Sequence, residues 1–325
     1  LYSDPVPYSS SFSSVTQNIG SLKNKGFEFD VKVDIIKNTQ KDLTWDFDFN
    51  VARNITTLEK LNSEDEYFGG GAYQYFKIDV GGKTGILYGY KYGGRLIRTN
   101  EELVALKTIN PETGQQQYYR DENNYERPGD LYIMDLDGDG QITADGDRTE
   151  IGNANPDFFG GFGTTLYWKG LMVNATFTYS VGADRFYDEE KSSAGDMNVY
   201  NTSKNTLKSW TMNPGVDRGY PRAMYYGWGS NSIITNRYVH DASFLRLSAL
   251  NISYRLPKRL FGSSIVDAID LTFQATNLFT WTKYPGMDPQ GNFSTSYSAF
   301  YNMGIDYSSY PSARTYNVGI KITLK

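Results

Sequence analysis

The chain has 325 residues, no Cys, a single His (His240), and 32 Lys and Arg against 37 Asp and Glu, for a net charge of −5. The lack of Cys excludes disulfide frameworks, thiol catalysis and Cys-ligated zinc, and the lone His excludes any site that needs two imidazoles. Mild acidity dispersed along the chain argues against nucleic acid as a partner.

The N-terminus, Leu1-Tyr2-Ser3-Asp4, is neither a start Met nor a signal peptide, so the chain reads as a mature product or a piece of something longer. Strict alternation begins at Phe27. Phe27, Phe29, Val31, Val33 and Ile35 interleave with Glu28, Asp30, Lys32 and Asp34, which predicts a strand over 27–37. After the turn residues Asn38-Thr39-Gln40-Lys41 the alternation resumes, and Leu43, Trp45, Phe47, Phe49 and Val51 predict a strand over 42–53. Residues 54–157 form a very long connection, in which the Gly-interrupted stretch Tyr73 to Tyr92 is expected to make an extracellular hairpin, with two barrel strands as the alternative. The Gly-rich run 158–168, the tight turn Lys169-Gly170 and the alternating run 171–182 predict a hairpin. A second long connection, 184–242, holds a possible short helix at Asn201 to Met212 and an aromatic cluster, Tyr225, Tyr226 and Trp228, that could stack on sugar rings. Strands follow over 244–255, where parity slips near Ser248 as at a β-bulge, and over 267–281. A third long connection, 282–312, leads to a last strand over 313–324.

Two all-β architectures give such alternation. In a sandwich the apolar face is the core; in a membrane barrel it meets lipid while the polar face lines a wet lumen. Every second connection here is short and the others are long, which is the pattern of brief periplasmic turns and large extracellular loops. No run approaches the roughly 18 apolar residues of a membrane helix. A mean hydropathy of −0.53 does not count against a barrel, whose alternation escapes a hydropathy window. The 27 Tyr and 32 Gly suit interfacial girdles and strand-turn punctuation. Seven strands cannot close around a wet, charged lumen, because barrels of about 8 strands fill their interiors with side chains, and an open edge is not tolerated in lipid. The expectation is therefore the C-terminal part of a much larger antiparallel transmembrane β-barrel.

The sharpest chemical motif is Asp135-Leu136-Asp137-Gly138-Asp139-Gly140-Gln141-Ile142. Alternate carboxylates can converge on one hard cation, Gly140 permits the sharp turn, and Gln141 offers a backbone carbonyl, as at the start of an EF-hand-type Ca²⁺ loop. The twelfth position is Gly146 in place of Glu, so Asp145 or Asp147 is expected to supply the last oxygen of a structural Ca²⁺ site. The flanks do not look helical. The alternative is a solvated acidic turn. Asp46 with Asp48, or Asp30 with Asp34, could be read as a glycosidase carboxylate pair; regular strands with no implied pocket make them solvated lumen charges. No nucleophile elbow lies near His240, which reads as a loop residue. No catalytic residue is assigned, and the chain is not expected to be an enzyme.

Several further stretches recur together: Asn18-Ile19-Gly20 with Asn24-Lys25-Gly26-Phe27-Glu28; Tyr88-Gly89-Tyr90-Lys91; Pro128-Gly129-Asp130 before the aspartate loop; and Asp147-Arg148-Thr149 with Ile151-Gly152-Asn153 and Pro156. Gly160-Gly161-Phe162, Asp241-Ala242-Ser243-Phe244-Leu245-Arg246-Leu247, and Asn277-Leu278-Phe279-Thr280-Trp281 with Tyr284-Pro285-Gly286 and Asp288-Pro289 follow. In this order they resemble the C-terminal barrel portion of SusC/RagA-family TonB-dependent outer-membrane transporters, nearly end to end. The resemblance implies a barrel of about 22 strands with a plugged lumen in the outer membrane of a Gram-negative bacterium of the Bacteroidota. It also implies a SusD-like surface lipoprotein as partner. TonB would drive uptake of large nutrients, usually oligosaccharides and sometimes oligopeptides, through an N-terminal part outside this chain. One departure is the ending Leu324-Lys325, where such barrels usually end in an aromatic residue. The runner-up reading is a Ca²⁺-stabilised surface β-protein that binds glycan without transport.

Overall fold

The computed structural model describes residues 2–5, 14–17, 20–61, 67–70, 76–106, 108–109, 116–117, 127–195, 201–211, 219–223, 233–262, 265–291, 303–307 and 309–325. Its main feature is one seven-stranded antiparallel sheet in which every strand pairs with its sequence neighbours. The strands are β1 (Gly20–Asn38), β2 (Leu43–Leu61), β3 (Phe158–Trp168), β4 (Leu171–Val181), β5 (Phe244–Arg255), β6 (Val266–Thr282) and β7 (Thr315–Leu324). Such a meander has no crossover and, among the described residues, two open edges, β1 and β7.

Pairing carries the local alternation across the sheet. Ile36, Trp45, Leu166, Val173, Ile252, Phe273 and Val318 are paired in succession, so one apolar row crosses all seven strands. On the opposite face, Asp34, Asp46, Thr165, Asn174, Asn251, Gln274 and Asn317 form an equally continuous polar row. Asn174 Nδ2 donates to Thr165 Oγ1 (2.9 Å) and Asn251 Nδ2 to Asn174 Oδ1 (3.2 Å), which ties neighbouring strands through the wet side. Asp34 faces Asp46 directly, an unfavourable pair that a hydrated lumen and the nearby Lys37 (3.6 Å) relieve. Large apolar side chains stay exposed on the first face: Phe279 is 56% and Val318 83% accessible. Among the described residues no second sheet covers that face, as a sandwich would require. Trp45 makes the lipid-facing logic explicit: its indole N–H donates to Thr164 Oγ1 on the same face (2.8 Å), where no water would serve it.

Register slips occur where the chain needs an extra residue. Alternation alone runs straight through Ile35, but the register breaks between Asp34 and Ile36, and Ile36 takes the place opposite Trp45. Ser248 is bulged, between Leu247 and Ala249, as the slip in parity suggested. Across from it Asn277 adopts a left-handed φ of 52°. The hairpin in 73–92 lies outside the main sheet: Phe76–Asp79 and Ile86–Tyr90 belong to a separate four-stranded sheet, with Gly81 and Gly85 at positive φ between them. Its turn hydrogen-bonds to the end of β2, Leu58 N to Gly82 O (3.0 Å) and Thr84 N to Thr56 O (2.9 Å).

The packed core sits above the sheet rather than against it. Leu87, Leu96, Leu131, Ile133, Ile142, Phe186, Tyr238 and Ile305 form one buried cluster, and all come from the three long connections. A three-stranded sheet joins two of these connections: Asp184–Tyr187 pairs antiparallel with Val239–Asp241 and parallel with Ile305–Asp306. Tyr90 N donates to Ile234 O (2.8 Å), which adds the first connection to the second. The long connections thus fold into a single layer at one end of the wall.

Candidate functional site

The site is the polar face of the wall where it meets the loop layer. Arg246 stands on that face in β5, 5% accessible. Its Nη2 donates to Asp288 Oδ1 (2.6 Å), Nη1 to Gln290 Oε1 (2.7 Å) and Nε to Thr280 Oγ1 (3.0 Å). Asp288 also accepts from the backbone N–H of Gln290 (3.0 Å) and of Ser312 (3.2 Å). One ion pair therefore pins both ends of the third connection to the wall. Burial pushes the Asp288 carboxyl up, but the N–H of Gln290, the Arg246 guanidinium and the N–H of Ser312 outweigh it and hold it below the usual carboxylate range. Beside the pin lies a hollow of about 630 Å³ bounded by Asn277, Thr280, Ser312 and Arg314. A second, of about 440 Å³, is bounded by Phe159, Thr178, Ser180, Phe244, Arg185 and Gln290. Both mix polar and apolar lining, with Met287 and Pro289 in the first and Pro156 and Met303 in the second.

The loop layer is locked by equally buried charges. Asp130, with no accessible surface, accepts two hydrogen bonds from Arg222, at 2.6 and 3.1 Å, and one from Arg127 N (2.7 Å). Gly129 before it carries φ 97°, and a Cβ there would lie 2.4 Å from the Trp210 ring, which is why Gly precedes Asp130. His240 is in the strand Val239–Asp241, with Nε2 2.6 Å from Glu190 Oε2 of the helix Asp188–Gly195. Tyr284 donates to Asp306 Oδ2 (2.8 Å). The Tyr187 hydroxyl is pushed up to about 12 by burial and then by Glu189, Asp306 and Glu190. The expected helix at Asn201 to Met212 is a single 3₁₀ turn, Lys204–Lys208, capped by Ser203.

The aspartate loop brings carboxylate oxygens of Asp135, Asp137 and Asp139 within 4.8 Å of one another. Gly138 N and Gly140 N donate to the two oxygens of Asp135 (2.7 and 2.8 Å), Asp139 N to Asp137 Oδ1 (3.2 Å), and Gln141 N to Asp139 Oδ1 (2.7 Å). One oxygen of Asp137 and one of Asp139 are outside these turns. Asp147 is placed differently: fully buried, its oxygens accept from Leu136 N and Thr143 N, both at 2.7 Å, so it clamps the loop shut. Asp145 is exposed and outside the cluster. A Cβ on Gly146 would press on the Asp137 carboxylate, so a side chain at the twelfth position requires Asp137 to turn from its place in the cluster.

Tyr225, Tyr226 and Trp228 lie outside the described residues. Arg246, Asp288, Arg222 and Glu190 were not reached from the sequence as site residues. Asp288 is flanked by Met287 and Pro289, a turn signal, but its partner lies 42 positions away.

No protein-family profile matches the chain. It is 33% identical over 332 residues to TonB-dependent receptor P3 of Formosa agariphila, covering 99% of this chain and 31% of that protein. It is 26% identical over 325 residues to TonB-dependent receptor SusC of Bacteroides thetaiotaomicron, covering 99% of this chain and 28% of that one. Among solved structures it is similar to the RagAB peptide importer in its closed-closed state. The TM-score is 0.68 at 26% identity, over 98% of this chain and 31% of that chain. The chain spans about a third of the length of the curated relatives it matches. Sequence, backbone and the two-faced sheet agree: over nearly its whole length this chain is similar to about a third of the length of TonB-dependent receptors of the SusC kind and of the RagAB importer.

Proposed function

We propose that the chain forms the last part of the barrel of an outer-membrane importer of large nutrients. It works with a SusD-like surface lipoprotein and is powered by TonB through a part of the protein outside this chain. Oligosaccharides are the first substrate class. The supporting observation is the unbroken polar row, which makes one face of the sheet the wall of a wet lumen while the other face is lipid-compatible. Oligopeptides are the second reading, favoured by likeness to a peptide importer. The test is an in-frame deletion of the full-length gene, with growth on defined oligosaccharides or on oligopeptides as sole nutrient. Loss on oligosaccharides alone, restored by the full-length gene, is expected. Loss on peptides alone decides for the second reading, and unchanged growth on both overturns import.

The aspartate loop supports a structural Ca²⁺ held by Asp135, Asp137 and Asp139, with the Gln141 carbonyl as a further oxygen. A hard cation suits clustered carboxylates in a loop with no neighbouring base or nucleophile. A chelator is expected to lower the melting temperature of the full-length protein, and Asp139→Ala to abolish that sensitivity. An unchanged melting temperature with chelator removes the site.

A further inference from the structure

On the lipid-facing side of the wall, the apolar surface ends at a cationic group. Phe29 and Val51 are paired on that face, and two residues further toward the loop layer Phe27 is paired with Arg53. The next residue on the same face of β1 is Lys25, opposite Ile55 and diagonal to Arg53. From Leu43, at the short-turn end of β2, to Arg53 is about the 9–11 residues that a strand needs to cross the hydrocarbon. On the outer-membrane reading proposed above, Arg53 sits where the bilayer core gives way to the headgroups of the outer leaflet.

Its surroundings supply shape and no counter-charge. The Arg53 guanidinium lies 5.5 Å from the centroid of the Phe158 ring, and Phe27 and Phe158 are 6.4 Å apart, so two aromatic rings flank it. Arg53 Nε is buried and has no hydrogen-bond partner among the described residues. Lys25 is exposed. The nearby Lys23 is paired with Glu59 (3.4 Å). Among the described residues no carboxylate forms an ion pair with Arg53 or Lys25. A cation on the lipid face is unfavourable unless it reaches the interface or meets an anion. A guanidinium braced by a ring can offer its two terminal NH₂ groups to a bidentate acceptor, and phosphate is the acceptor that suits it.

We propose that Lys25 and Arg53, framed by Phe27 and Phe158, form a binding site on the outside of the barrel for the phosphate of an outer-leaflet glycolipid. The acyl chains of that lipid lie along the apolar rows below, and its phosphate meets the two cations. The site anchors the wall at a fixed depth in the membrane and is separate from the lumen.

The full-length protein in detergent is titrated with phosphorylated lipid A and with the same lipid A after enzymatic removal of its phosphates. Wild type is expected to bind the phosphorylated lipid at least tenfold more tightly. The Lys25→Gln, Arg53→Gln double variant is expected to lose that preference, and Arg53→Lys to keep part of it. The Lys37→Gln, Lys41→Gln double variant, the same charge change beside the short turn at the other end of β2, is expected to leave binding unchanged. A heat-shifted gel band checks that each variant is folded. Equal binding of both lipids by wild type overturns the proposal. So does a folded Lys25→Gln, Arg53→Gln variant that keeps the preference, or the Lys37→Gln, Lys41→Gln control weakening it as much.

Discussion

Arg246 and Asp288 are 6% and 7% accessible, so neither charge has water to fall back on. Removing one partner of a buried pair leaves the other uncompensated, at a cost of about 3–5 kcal/mol. Arg246→Met is therefore expected to release the third connection from the wall, read as faster amide exchange at Gly291 and Ser312 with the strands themselves unaffected. Because the Asp288 carboxyl is held below its ordinary range, its contribution is present above the unfolded carboxylate pKa of about 3.9 and fades as pH falls through the lowered folded value. Exchange protection of the same amides should follow that acid-side profile in wild type and lose it in Asp288→Asn. Gly146 gives a second test at this scale. A sequence-based repair of the loop, Gly146→Glu, would add the acid that an EF-hand carries, yet its Cβ presses on the Asp137 carboxylate. It is expected to weaken the loop, and a higher melting temperature for Gly146→Glu in calcium would contradict the geometry.

At the scale of elements, the loop layer behaves as a small folded body with its own core. Phe186 and Tyr238 have no accessible surface and meet edge to face at 6.3 Å. Truncating a large core aromatic costs about 3–5 kcal/mol. Tyr238→Ala should therefore open the layer, seen as exchange across Ile86–Tyr90 and Leu131–Ile133, while β1 to β7 keep their protection. The paired irregularity at Ser248 and Asn277 does a different job: it re-aims β5 and β6 just below the pin. Asn277 tolerates the left-handed conformation, and its amide donates to Ala313 O (3.0 Å). Asn277→Val adds about 1–2 kcal/mol of backbone strain to the lost hydrogen bond, whereas Asn277→Gly loses the bond alone. Thermal unfolding of the full-length protein should rank them in that order.

For the molecule as a whole, the wall is unfinished on two sides. Among the described residues β1 and β7 each pair on one side only, and unsatisfied backbone groups are not tolerated in hydrocarbon. The 325 residues expressed alone are expected to aggregate or remain detergent-dependent without a heat-shifted gel band, while the full-length protein shows one. A discrete, heat-modifiable species from the segment alone would mean that it closes on itself. The two faces also divide the work. One is an exposed apolar surface, and the other, with the loop layer above it, is a continuous polar one.

The sequence by itself determined the strands' two-faced character, the short and long alternation of connections, the bulge near Ser248 and the convergence of Asp135, Asp137 and Asp139. Each of these is written within a few neighbouring residues, because side-chain direction in a strand repeats every two positions and a carboxylate turn closes over five. Ile35 shows the limit, since its register break has no trace in the apolar pattern and is decided by how β2 pairs with β1. Only the tertiary structure decided that Asp147 is a buried clamp, that Arg222 meets Asp130 across 92 positions, that Arg246 meets Asp288 across 42, and that the packed core lies in the long connections. Contacts of that separation leave no local period. They form because the meander brings the ends of β2, β4 and β6 together at one rim, where the chain between strands must bury its own apolar residues and satisfy its own charges.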